Sequence, residues 1–524
     1  MKHDTPLIKL FLIGISVFAF TFCQPKAPSG SSLGNLDFPI SGKPKAQEAF
    51  QKGLLLMHSF EYKDALEAFE EAQQEDPECV MAYWGEAMAH NHPIWQEQDY
   101  NKGNVALSKL GDTREERLSK AKTKIEKDFL TAIEILYGEG NKVERDNAYA
   151  RYLGELYHKY PENDEVTVFY SLALMGSIPY ISDMEVYQKA ASLAKEVMDR
   201  NPEHPGAVHY YIHANDEPNY AHQAKKAADI YAKVAPDAAH AIHMPSHIYL
   251  SLGMWDEVVS SNVASFQASV NRKERKNLDY GALGLHSFQW LQYGYLQQEK
   301  FDEAKKLLED VVFYTKESPS VYTHEHQSYM KTTYFVETED WDNPMINLES
   351  DYSGFNIAVK SRDRFVHALK AFHDKDFEKV ESTLLVMKEE REAAAKTISL
   401  DAGMALCSSG GASSENTTPR DLKIAETMEL ELKALLAWEK GDPSDGENYF
   451  LKATALENEV GSAAGPPTIV KPSHELYAEF LVANGRPEEA IQQYEAALKL
   501  APNRIKSVKG KKVAEELLKQ QAVL

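Results

Sequence analysis

Cysteine is scarce in this chain: three in 524 residues, at Cys23, Cys79 and Cys407. Cys79 and Cys407 lie 328 positions apart, so no disulfide framework and no thiolate cluster of zinc-finger spacing supports the fold. Positive charge is also short, with 57 Lys and Arg against 80 Asp and Glu and a net charge of −23. That balance argues against nucleic acid and anionic lipid surfaces, which need clustered Lys and Arg. The sequence holds no HExxH, no phosphate-cradling GxxxxGK[ST] and no dinucleotide GxGxxG, which removes the zinc-peptidase, P-loop and Rossmann chemistries. A nucleophile-elbow match at Gly30-Ser31-Ser32-Leu33-Gly34 has no strand before it and is a chance occurrence. After residue 22 no apolar run reaches membrane-spanning length.

The one long apolar run, Leu10 to Phe22, follows Lys2 and Lys9 and ends at Cys23. It is too short to span a bilayer and has the flanks of a secretory signal. Cys23 resembles the acylated cysteine of bacterial lipoproteins. Residues 1–22 are therefore expected to be a signal peptide, Cys23 the lipidation site and 23–45 a flexible tether. The protein is then expected to be an exported envelope lipoprotein, periplasmic or on the outer membrane, touching the membrane only through its N-terminal lipid.

What the chain has in quantity is histidine, and in one place. His204 to His247 contains seven of the 18 histidines in 44 residues. His209 to His243 is 34 residues, as is His213 to His247, and Ala190, Ala194, Val197 and Pro202 step to Ala224, Ala228, Tyr231 and Pro236 by the same 34. Elsewhere Gly53, Ala65, Phe69, Ala72 and Pro77 follow a small–small–aromatic–small–proline pattern, and Ala490, Tyr494, Ala497 and Pro502 repeat its second half. Small residues let paired helices approach, the aromatic fills between pairs, and the proline stops the second helix.

A 34-residue period of this composition resembles the tetratricopeptide repeat. More narrowly, MAYWGEAMAHNHPIW, HYYIHAND, YAKVAPDAAHAIHMPSHIYLSLGMWDE, GPPTIVKPSHELY and APNR resemble a widespread bacterial group of such proteins with no assigned activity. The resemblance implies an all-α, right-handed superhelical solenoid of helix–turn–helix repeats. The solenoid is expected over 46–402 with a helical insertion at 96–144, a disordered loop over 403–423, and further repeats with a polar capping helix over 424–524. Residues 465–472 read as a stiff linker.

In that family, places 2, 5 and 9 of each first helix line a concave groove. Here those places hold His240 and His286 (2), His209 and His243 (5), and His213 and His247 (9), followed by Gln289 and Tyr293 at 5 and 9 further on. His240, His243 and His247 fall within about 60° of one helix face. Two functions follow. The first is an envelope scaffold that binds a protein or peptide partner in the groove. The second is a transition-metal site, zinc most simply, held by four of His209, His213, His240, His243 and His247, with Asp216, Glu217 or Asp237 orienting the rings and hydrolysis following where a coordination position is open to water. His92, His324 and His326 are further ligand candidates. Glu475 and Glu479 read as a solvated acidic end of the groove.

Overall fold

The computed structural model describes residues 33–178, 183–398, 417–462 and 464–523. The signal segment, Cys23 and most of the expected 403–423 loop lie outside them. Among the described residues the chain is all-α: helices pair antiparallel with their sequence neighbours from Pro44–His58 to Ile505–Val523. The one exception is a two-stranded ribbon, Asn91–His92 against Glu97–Gln98, which lies where helix Val80–Met88 ends.

The repeat pattern is spent on close helix packing. A methyl group on Gly53 or Gly85 would stand 2.7 or 2.4 Å from the Phe69 ring, so one aromatic wedges between two glycine-bearing helices. Tyr494 holds Gly510 in the same way in the C-terminal repeat. Within the insertion, residues 113–137 form two helices, Arg114–Ser119 and Lys124–Leu136, because Thr123 and Glu126 form a capping box that starts a new helix. Helix Pro419–Glu439 likewise begins inside the expected loop, capped by Thr418.

The first and last described repeats fold back onto the middle of the chain. Arg272 and Lys276, on helix Trp255–Lys276, pair with Asp64 at 2.8 Å and closer, joining the first repeat to that middle helix. At the other end the Trp255 indole donates to the Asn503 carbonyl at 3.0 Å, and Arg504, fully buried, donates to Glu475, Glu337 and Tyr293. The interior is accordingly filled rather than open. Residues 465–472 are no exposed linker: Ile469, Val470 and Lys471 are buried, and Arg362 donates to the Pro467 and Thr468 carbonyls. Glu475 is no solvated groove end either; Arg504, Lys471 and Ser507 surround it, while Glu479 remains partly exposed on Lys471. No described helix is long and apolar enough to cross a membrane.

Candidate metal centre

Six of the eight predicted groove residues come together, but inside the protein. His209, His213, His240, His243, His247 and His286 are each at most 8 % exposed. The physical reason is the return of the first repeat. Its turn residue Phe60, held at φ 55°, lays its ring against His209, His213 and His240, with centroids 4.3, 5.7 and 5.5 Å away. What an isolated middle segment would show to solvent is thereby covered.

The histidines form two triads rather than the single four-histidine site expected. His209, His213 and His240 offer nitrogens within 4.8 Å of one another, and so do His243, His247 and His286. The two are one template used twice: places 5 and 9 of one repeat with place 2 of the next. Helix Pro205–Ala214 carries His209 and His213, and His204 starts it, its Nδ1 accepting the Ala207 N–H. Helices Ala239–His243 and Pro245–Ser251 meet at Met244 and carry His240, His243 and His247. His286 comes from helix Leu285–Gln297.

Hydrogen bonds fix which ring nitrogens are bare. His209 Nδ1 donates to the His58 carbonyl at 2.7 Å, which leaves its Nε2 a lone pair with no partner. Neither nitrogen of His213 nor of His240 has a partner. In the second triad, Asn262 donates its amide to the Val258 carbonyl and so turns its oxygen to His243 Nδ1 at 2.6 Å. Asp216 accepts from His247 Nδ1, also at 2.6 Å. With both Nδ1 atoms donating, the Nε2 atoms of His243 and His247 face each other at 3.2 Å. Two lone pairs do not approach so closely unless a proton or a cation lies between them. Two ligand nitrogens at 2.0–2.1 Å from one tetrahedral ion stand about 3.3 Å apart.

Burial disfavours a proton on His243. It lowers the His209 pKa to about 3, and lowers those of His213, His240, His243 and His286, with neighbouring imidazoles adding to the effect. On these five rings burial favours the neutral form, whose lone pair is available to a metal. Of the carboxylates expected to orient the rings, Asp216 does so, whereas Glu217 bonds to Asn219 and Asp237 is exposed.

The other candidates separate from this centre. Tyr293 is buried, but its hydroxyl oxygen accepts from Arg504, and Gln289 binds His326 Nδ1 at 2.8 Å. His326 sits within helix Val321–Thr338, with its ring centroid 6.4 Å from His286. His92 stacks on Tyr62 at 4.1 Å, outside both triads. A third cluster was not legible in the sequence: His58, Glu165 and His204, contributed by three distant helix ends. Glu165 bridges His58 at 2.8 Å and His204 at 3.0 Å, and His58 Nδ1 meets the Tyr210 hydroxyl at 2.8 Å. Burial alone would raise the Glu165 pKa, but the two histidines hold it down at about 2. Every nitrogen there has a partner, so this trio ties the fold together and leaves nothing for a metal. No spacing rule connects its members.

A cavity of about 170 Å³ reaches the centre from one side, opening on His240, His243 and His286. Phe60, Tyr62 and Trp95 form its aromatic wall, and Glu61 and Arg272 its charged edge. Glu61 Oε1 accepts the His240 N–H at 3.0 Å, and burial raises the pKa of this carboxyl.

The fold and centre define an all-α protein of stacked helix pairs with a histidine-lined core. Residues 432–505 match the model of the tetratricopeptide repeat family, which places the C-terminal repeats in that class. No curated protein matches the chain. Among solved structures it is similar to a human IFIT1 dimer with PPP-AAAA, at 14 % identity over 88 % of this chain and 94 % of that one, TM-score 0.39. Yeast Tom70 is similar at 12 % identity over 91 % and 96 % of the two chains, TM-score 0.33. The Cut9–Hcn1 hetero-tetramer of the APC/C is similar at 11 % identity over 92 % and 78 %, TM-score 0.35.

Proposed function

We propose that this protein binds transition-metal ions in its core, one per histidine triad. The observation that carries the reading is the head-on approach of the Nε2 atoms of His243 and His247, beside a second triad with five unpartnered ring nitrogens. Buried polar atoms are nearly always paired, and a concentration of unpaired ones at a single point calls for an ion or water. Imidazole nitrogen suits zinc, copper, nickel and iron. Asp216, Asn262 and the His58 carbonyl supply the outer hydrogen bonds that orient metal-binding imidazoles. Tetratricopeptide arrays in general present surfaces to protein partners. In this reading such a partner meets the outer face of the repeats, and the apolar run ending at Cys23 supports export and lipid anchoring in the cell envelope.

The test is direct. Tag-free protein equilibrated with zinc should retain two ions per chain. His213→Ala combined with His247→Ala should lose both, and Asp216→Asn should weaken the second site about 10–100-fold. Wild-type protein that takes up no metal would sink the proposal.

A further inference from the structure

Both triads are buried, so any ion they hold must enter from outside, and the cavity over His240, His243 and His286 supplies a way in. Its lining includes a histidine–carboxylate pair that belongs to neither triad, His92 and Glu97. Their side chains are 27 % and 31 % exposed, whereas no triad histidine exceeds 8 %, which puts the pair at the open end.

The pair is held there by a structure that a helical repeat does not require. Strand Asn91–His92 lies antiparallel to Glu97–Gln98 with His92 directly opposite Glu97, so the two side chains leave the ribbon on one face. A hairpin this short is not stable alone, and its surroundings pin it. Gln96, at φ 57°, donates its side-chain amide to the Gly176 and Ile178 carbonyls at 2.9 and 3.1 Å. Pro93 lies so near Gly176 that a methyl group on that glycine would stand 2.6 Å from the proline Cβ. At the base of the ribbon Arg145 donates to Gln98 Oε1 at 2.7 Å, and the Asp99 N–H to the His90 carbonyl at 2.9 Å. His92 stacks on Tyr62 at 4.1 Å, Tyr62 on Phe60 at 5.3 Å and Phe60 on His240 at 5.5 Å, a continuous row of rings from the rim to the first triad.

His92 Nδ1 stands 3.4 Å from Glu97 Oε2. That is longer than the roughly 2.7–3.2 Å of an ordinary N–H···O bond. It is close to the roughly 3.3 Å between two ligand atoms on one tetrahedral ion. The other charged groups lining the cavity are Glu61, Lys63 and Arg272. Glu61 accepts the His240 N–H, Arg272 is bonded to Asp64, and Lys63 is exposed. Glu97 is therefore the carboxylate that sits beside a ligand nitrogen at the rim, and Lys63 is the charge that opposes an arriving cation. Imidazole nitrogen with carboxylate oxygen is a donor set for zinc and its first-row neighbours.

Resting on the metal reading above, we propose that His92 and Glu97 form a third, exchangeable site, which captures a divalent first-row cation such as zinc at the cavity mouth and passes it inward to His240. Two protein ligands leave the other coordination positions to water, so the ion is held more loosely here than by three imidazoles and can move on. The ribbon is then the loading device of the buried centre.

The experiment mixes metal-free, tag-free, full-chain protein with zinc in a stopped-flow instrument and follows uptake by the loss of a zinc-indicator signal. His92→Phe combined with Glu97→Gln removes both ligands but keeps a ring on Tyr62 and a neutral side chain of the same shape. This variant should still bind two zinc ions per chain at equilibrium, yet take them up about tenfold or more slowly at low salt. Titration at high zinc should show a third, weaker ion in the wild type that the variant lacks. Lys63→Glu should bind the same two tight ions and take them up faster. A double variant that loads at the wild-type rate overturns the proposal and leaves the metal reading standing. So does a double variant with unchanged far-ultraviolet circular dichroism that loses a tight ion, because the pair would then belong to a buried site instead of serving it. Should the double variant fail to fold, an unchanged rate in Lys63→Glu overturns the proposal as well. Wild-type protein that binds no zinc removes both readings.

Discussion

A histidine in water changes charge near pH 6.5, and one sealed among apolar rings does not. His209, His213, His240, His243 and His286 all have their folded pKa lowered by burial. The unfolded chain therefore binds protons below pH 6.5 that the folded chain refuses, and stability is lost as pH falls from about 6.5 toward about 3, the value for His209. The slope is about 1.4 kcal/mol per pH unit for each such histidine. Metal-free protein should show this in thermal unfolding across that range, and His209→Gln should make the curve shallower. A flat profile would mean that the rings are not buried as neutral groups. These residues were singled out by the sequence, through the 34-residue step. Their partners were not, apart from Asp216: nothing in the spacing joins Asn262 to His243, or Phe60 to a triad 150 residues away.

Elements in this chain are joined by small-residue contacts along the sequence and by charge across it. Arg504, with no exposed surface, is held between Glu475 and Glu337, whose carboxylates keep it charged although burial opposes this. Removing one member of such a group leaves the others unpaired and costs about 3–5 kcal/mol. Arg504→Ala is expected to lose that much in urea unfolding, and to speed proteolysis between residues 461 and 472, which the C-terminal repeat covers. The capping box at Thr123 and the helix start at Thr418 lay in plain view in the sequence, as T-x-x-E and T-P-x-D. An overall helical period hides such breaks, because two short helices and one long one keep the same apolar spacing.

For the whole molecule, the proposed ligands come from helices that pack only in the complete fold, so a metal bound as proposed would stabilise that fold. At a free metal concentration 100 times Kd the gain is about 2.7 kcal/mol. Calorimetry should show the melting temperature rising with metal and falling with a chelator, while the double variant His213→Ala, His247→Ala should show neither shift. A solenoid left open would expose the histidine places to solvent as a groove. Here Asp64 on Arg272 and Asn503 on Trp255 draw the two ends against the middle and turn that face into an interior. The amino-acid sequence by itself determined the repeat, and with it the placing of imidazoles at places 2, 5 and 9, because both follow from helical period and local packing. Only the tertiary structure decided that those places fall into two triads under Phe60, since contacts between residues 60, 209 and 240 depend on long-range return of the chain, which no local pattern encodes.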